Sequence, residues 1–181
     1  MAQEDLQLHM TVLMTPDMAN FAGNVHGGAI LRLMDQVAYS CAARYASCYV
    51  VTASVDRVSF RRPVRVGELV TFMASVNYTG QSSMEVGMKV VAEEICSRTQ
   101  HHCNSSYFTM VAVDPCGRPV QVPRLVPVTL EQWRRHEEAQ IRRRLKYEME
   151  QQHKELMAQL DALPPGNYRM SSEVEYMQIA S

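Results

Sequence analysis

Between Gly28 and about Tyr45 the apolar positions Ala29, Ile30, Leu31, Leu33, Met34, Val37, Ala38, Cys41 and Ala42 cover more than half of a helix's circumference. Arg32, Gln36, Ser40 and Arg44 trace a polar edge at four-residue spacing. This distribution predicts a helix that is buried rather than half exposed. Before it, residues 6–14 read as a short strand, and TPDMANFAG supplies the Pro, Asp, Asn and Gly of a connection. After it come four segments rich in β-branched and aromatic residues, at about 49–60, 68–78, 83–95 and 103–114. The turn signals between them, Thr79-Gly80-Gln81-Ser82 above all, predict largely antiparallel pairing. One central helix against one antiparallel sheet is the economical α+β layout, because each element buries its apolar side on the other.

Past Asp114, PCGRPVQVPRLVPV contains four prolines and reads as an extended exit arm, since proline cannot donate to a sheet ladder. Thr129 and Gln132 then form a capping-box pattern that opens a second helix. Its narrow apolar stripe is Leu130, Trp133, Ile141, Leu145, Met149, Leu156 and Leu160, ending at Pro164-Pro165. Residues 1–127 are therefore expected to form the main domain, 128–163 a charged helix, and 164–181 a disordered tail. Seven basic and seven acidic side chains between Val128 and Leu163 cancel, so Arg142-Arg143-Arg144 reads first as a solvated, salt-bridged face. Subunit packing and contact with a phosphorylated ligand are its other readings.

A length of 181 residues, a net charge of -1 and 46% apolar residues fit one globular domain with an appendage. Near-neutral charge gives no electrostatic case for nucleic acid, and no run of about 18 apolar residues exists to cross a bilayer. The first ten residues lack a basic stretch followed by an apolar one, so a cytoplasmic location is expected. Five cysteines without C-x-x-C spacing argue against a disulfide framework and a zinc ribbon, and the expected metal count is none.

Chemistry concentrates in GNVHGGAILRLMDQVA. A helix that begins at Gly27-Gly28 has unpaired N–H groups and partial positive charge, suited to a carbonyl oxygen that gains negative charge. A tight turn is the alternative role for the glycine pair. His26 is either a general base or, the favoured reading, a hydrogen-bonded loop residue. Asn24 can cap, form the turn, or orient water and a carbonyl. Asp35, the one acid of an apolar helix, can activate water or attack a carbonyl. Its other reading is a buried ion pair with Arg32 or Arg44. Seven residues separate Asp35 from Gly28, about 10 Å along the axis, so one copy of the helix is not expected to supply both parts. Two antiparallel copies across a two-fold interface can.

The segments GNVHGGAILRLMDQVA, VVTASVDRVSFRRPVRVGE, SSMEV and PVQVPRLVP resemble the hotdog-fold acyl-CoA thioesterases over about residues 6–129. The resemblance implies a long central helix wrapped by a curved antiparallel sheet, a homodimer as the minimal unit and a hexamer as trimer of dimers. It implies hydrolysis of fatty acyl-CoA to free acid and CoA without metal or organic cofactor. Asn24, Asp35 and Gly28 are the catalytic residues it implies, with Asn24 and Asp35 on different subunits. His26, Gly27, Arg57, Arg61, Arg62, Ser82 and Ser83 are the expected substrate-binding residues, and Arg65 is a further candidate for the CoA phosphates. A hydratase or dehydratase that uses His26 as base, and a non-catalytic acyl-CoA-binding scaffold, are the rival readings.

Overall fold

The computed structural model describes residues 6–56 and 58–162. Five strands, β1 (Gln7–Leu13), β2 (Val50–Val55), β3 (Leu69–Thr79), β4 (Ser83–Glu93) and β5 (Gln100–Ala112), form one sheet. Their order is β1-β3-β4-β5-β2, and every neighbouring pair is antiparallel. The helix α1 (Gly27–Ala46) packs on all five strands. A long antiparallel sheet around one central helix is the hotdog fold that the sequence led us to expect. By contact, the chain forms two compact units, residues 1–140 and 141–181.

Alternation positions the core of the first unit. Val70, Phe72, Ala74 and Val76 of β3 face the same side as Met84, Val86, Met88, Val90 and Ala92 of β4, and all are buried. Against them α1 turns Ile30, Leu33, Met34, Val37, Ala38, Cys41, Ala42 and Tyr45, an uninterrupted three-and-four spacing. Each large apolar side chain of this seam contributes about 1.5–3 kcal/mol by leaving water. His26 caps the helix at one end, and Ser47 closes the other in the left-handed conformation, φ 53°.

Two expectations are corrected. The first segment after the helix was expected to remain a strand to Phe60, but β2 stops at Val55. A register shift between Thr52 and Ser54 starts the departure, and beyond Val55 single hydrogen bonds replace the ladder. Asp56 N–H donates to the Tyr107 carbonyl, Arg61 N–H to that of Cys103, and Asn104 Nδ2 to that of Ser59. Second, α1 is half exposed in the single chain: Leu31, Arg32, Asp35, Gln36 and Tyr39 face outward. One sheet covers one side of a helix, and the four-residue ridge of Leu31, Asp35 and Tyr39 lies on the other.

The second helix, α2, spans Leu130–Asp161. Its capping box forms as the sequence predicts: Thr129 Oγ1 accepts from Gln132 N–H, and Gln132 Oε1 accepts from the N–H groups of Thr129 and Val128. His136 on its second turn lies against the Tyr78 ring, centroids 5.5 Å apart. The expected tail at 164–181 lies outside the described residues, as does the end of the expected helix at Leu163.

Candidate active site

The helix mouth is built by a turn that ties the chain to itself before α1 begins. Asn20 Oδ1 accepts from the N–H groups of Ala22 and Asn24, and the Asn20 N–H donates to the Asn24 carbonyl. Gly23 takes a positive φ of 79°, which its missing side chain permits. Val25 N–H donates to the Val64 carbonyl, and Asn24 forms a β-bridge with Arg65. Glu68, itself buried, accepts the Arg65 N–H at 2.8 Å and fixes this second strap. The Asn24 side chain is half buried and makes no hydrogen bond among the described residues.

His26 takes the structural role. Its Nδ1 accepts the Gly28 N–H at 2.9 Å, so the ring satisfies one of the orphan donors at the helix start. With Nδ1 accepting, the neutral imidazole carries its proton on Nε2 and has no basic nitrogen to offer. The Gly28 amide, expected to polarise a carbonyl, is thereby occupied in the single chain. The Gly27 N–H has no partner among the described residues. The Phe60 ring lies beside this entrance, 3.5 Å from where a side-chain carbon on Gly27 would be, an ordinary van der Waals contact.

Asp35 lies elsewhere. It is not sheltered among greasy side chains in one chain but exposed, with Thr52 Oγ1 of β2 donating to its Oδ1 at 2.6 Å. No ion pair joins it to Arg32 or Arg44 among the described residues. Leu31 and Tyr39, one turn away on either side along α1, and Tyr49 just before β2 are exposed apolar neighbours on that side. The Tyr39 and Tyr49 rings meet edge to face with centroids 6.0 Å apart. Thr52 also approaches Met110 Sδ at 3.6 Å, which seats the pair over the inner face of β5.

The sequence-predicted residues thus fall into two groups at opposite ends of β5. Asn24, His26, Gly27 and Gly28 gather with Phe60, Arg61, Arg62 and Arg65 at the end marked by Cys103. Asp35 and Thr52 sit at Met110, beside Ser82 and Ser83: Val111 is the register partner of both Val51 and Ser83. Along α1 itself the two groups, Gly28 and Asp35, stand about 10 Å apart. One chain does not bring the groups together. Arg57 lies outside the described residues. Sequence reasoning missed Thr52 and Asn20. A threonine in a β-rich strand carries no individual signal, whereas Asn20 was visible as the first asparagine of a turn.

Cys41, Cys48, Cys96, Cys103 and Cys116 are free thiols. Among the described residues no cluster of His, Cys, Asp and Glu has the make-up of a metal site, and no helix is long and apolar enough to cross a membrane.

The family model described as the thioesterase superfamily matches residues 22–96. Protein VdlD of Helicobacter pylori is 47% identical over 140 residues, which cover 77% of this chain and 80% of that protein. The cytosolic acyl coenzyme A thioester hydrolase of Rattus norvegicus is 36% identical over 132 residues, 72% of this chain but 35% of the longer relative. Among solved structures, an apo-hexameric acyl-CoA thioesterase superposes with TM-score 0.78 at 34% identity, covering 81% of this chain and 94% of its own. An acyl-CoA hydrolase from Staphylococcus aureus, bound to butyryl coenzyme A and coenzyme A, gives 0.76 at 26% identity over 87% and 96%. Fold, helix-mouth sequence and relatives agree, and the chain belongs to the thioesterase superfamily, in which it is an acyl-CoA thioester hydrolase.

Proposed function

We propose that the chain hydrolyses fatty acyl-CoA at a site made by two copies, with Asp35 and Thr52 from one and the helix mouth from the other. The separation of the two groups within one chain is the observation that carries this reading. An antiparallel pairing of α1 across a two-fold axis brings Asp35 of each copy toward the Gly27-Gly28 end of its neighbour. The exposed side chains Leu31, Tyr39 and Tyr49 supply an apolar surface for such a contact. Covered by a partner, Asp35 gains the sheltered setting that the single chain lacks. The hexameric relative supports the higher assembly of three such dimers.

The Staphylococcus aureus hydrolase was crystallised with an asparagine, an aspartate and a threonine individually replaced by alanine. There the asparagine precedes the aspartate by 15 residues and the threonine follows it by 17. Asn20, Asp35 and Thr52 repeat both spacings. Asn20 therefore joins Asn24 as a candidate at the mouth. Its Oδ1 is held by two turn N–H groups, which leaves Nδ2 oriented as a donor toward the substrate.

In the reaction, Thr52 holds Asp35 Oδ1, and Oδ2 takes a proton from water as that water attacks the thioester carbon. The Gly27 amide and the asparagine stabilise the oxygen that becomes negative, with Gly28 contributing once His26 releases its amide. The C–S bond then breaks, and CoA leaves as thiolate and takes up a proton. Arg61, Arg62 and Arg65 at the mouth meet the CoA phosphates. No metal or organic cofactor enters this scheme. The capping role of His26 weighs against a hydratase that needs it as base.

Free thiol release measured from acetyl-CoA to palmitoyl-CoA tests the reading. Turnover on fatty acyl chains is expected, falling by about 100-fold or more in Asp35→Asn with the oligomer intact. Hydration of an enoyl-CoA without CoA release, or undiminished turnover in that variant, contradicts it.

A further inference from the structure

Among the described residues, the second compact unit carries an exposed apolar stripe that none of them covers. At 3.6 residues per turn, Ile141, Leu145, Met149, Gln152, Leu156 and Leu160 of α2 fall on one narrow stripe. The five apolar members are all exposed. Leu145 to Leu156 and Met149 to Leu160 each repeat at eleven residues, the period of a long straight seam rather than of a broad face laid on a sheet. The charged and titratable side chains nearest the stripe are segregated by edge. Arg142, Lys146 and His153 follow one edge, while Glu148 and Glu155 follow the other, with Arg144 further out on that side.

We propose that this segment of α2 pairs in parallel, in register, with the same segment of a second copy. A parallel two-fold pair sets the basic edge of each helix beside the acidic edge of its neighbour, at both seams. An antiparallel pair sets basic against basic and acidic against acidic. The polar member of the stripe selects the same arrangement. Parallel in-register pairing places Gln152 against Gln152 of the partner subunit, where two amides satisfy each other. Antiparallel pairing places it against methionine. A polar residue within an apolar seam costs stability and in return fixes register and orientation. The stripe from Ile141 to Leu160 runs about 29 Å, short for an isolated two-stranded coil, so the pair forms between chains already held in one oligomer. The unit is then a second link between copies, independent of the interface at α1.

Oxidative crosslinking of the full chain carrying Gln152→Cys tests this. The introduced thiols are expected to link to each other, identified as a linked peptide by mass spectrometry, whereas Ala158→Cys on the opposite face gives no such link. Adding Leu145→Glu with Leu156→Glu is expected to abolish the link while acyl-CoA hydrolysis continues. Failure of Gln152→Cys to link overturns the proposal, as does equal linking at position 158. Preferential linking between a Leu145→Cys chain and a Leu156→Cys chain overturns the parallel orientation. Capture of the chain on anionic vesicles, lost with the glutamates and without any link at 152, assigns the stripe to a lipid surface instead.

Discussion

Asp35 and Thr52 illustrate how a single hydrogen bond converts an exposed acid into an oriented one. A bond to a charged group contributes about 1.5–3 kcal/mol, and here it spans from helix to strand, fixing one carboxylate oxygen at 2.6 Å from the hydroxyl. Replacing Thr52 by valine keeps the strand and removes the donor. Thr52→Val is expected to lower kcat by about tenfold to a hundredfold with little change in KM, and Thr52→Ser to restore most of it, since orientation of the acid acts on the chemical step. Steady-state kinetics of both variants check this. Asp35 stood out as a candidate in the sequence because an acid inside an apolar helical pattern has few bland explanations. Its exposure was not legible. Periodicity counts apolar positions and does not say whether a sheet of the same chain or a neighbouring molecule covers them. Thr52 was invisible for a related reason: its partner lies 17 residues away on a different element, and spacing reveals pairs within an element but not between elements.

At the scale of elements, α1 carries both the core and the mouth. The capping box of α2, the hairpin at Gly80 and the strand segments of β3 and β4 were all readable, because each rests on neighbours in sequence. The end of β2 was not: its residues keep a strand-like composition to Phe60 while their hydrogen bonds leave the ladder. Cys41 records how tightly α1 is seated. Burial pushes its thiol up to about 12, against smaller opposing effects of Arg44 and a backbone hydrogen bond from Val76. Burial also raises Cys103 and Tyr45. The unfolded chain therefore loses the Cys41 proton before the folded one does. This contribution to stability is complete below the ordinary thiol value and declines as pH rises toward about 12. Thermal melts from neutral pH to about pH 10.5 are expected to show a steep alkaline fall, shallower in Cys41→Ala although that variant starts lower. Alkylation of the native protein, read by mass spectrometry, is expected to label the exposed Cys96 and Cys116 and to spare the buried Cys41 and Cys103.

The whole molecule is where sequence and single chain both stop short of a site. The sequence placed Asp35 about 10 Å along the helix from the glycine pair, and the fold adds that the two groups lie at opposite ends of β5. On the proposed mechanism each chain presents one half of the chemistry at each end, with the exposed ridge of Leu31, Asp35 and Tyr39 on α1, a plan that is complete only when two copies face each other. A mixture of chains tests this claim most directly. One chain carries Asn20→Ala with Asn24→Ala, the other Asp35→Ala, and each alone is expected to be nearly inactive. Unfolded and refolded together in equal amounts, half of the dimers become mixed, and each mixed dimer regains one of its two sites. The account predicts recovery of about a quarter of the unmodified protein's CoA release. A mixed preparation that exchanges subunits yet stays as inactive as its parents contradicts it.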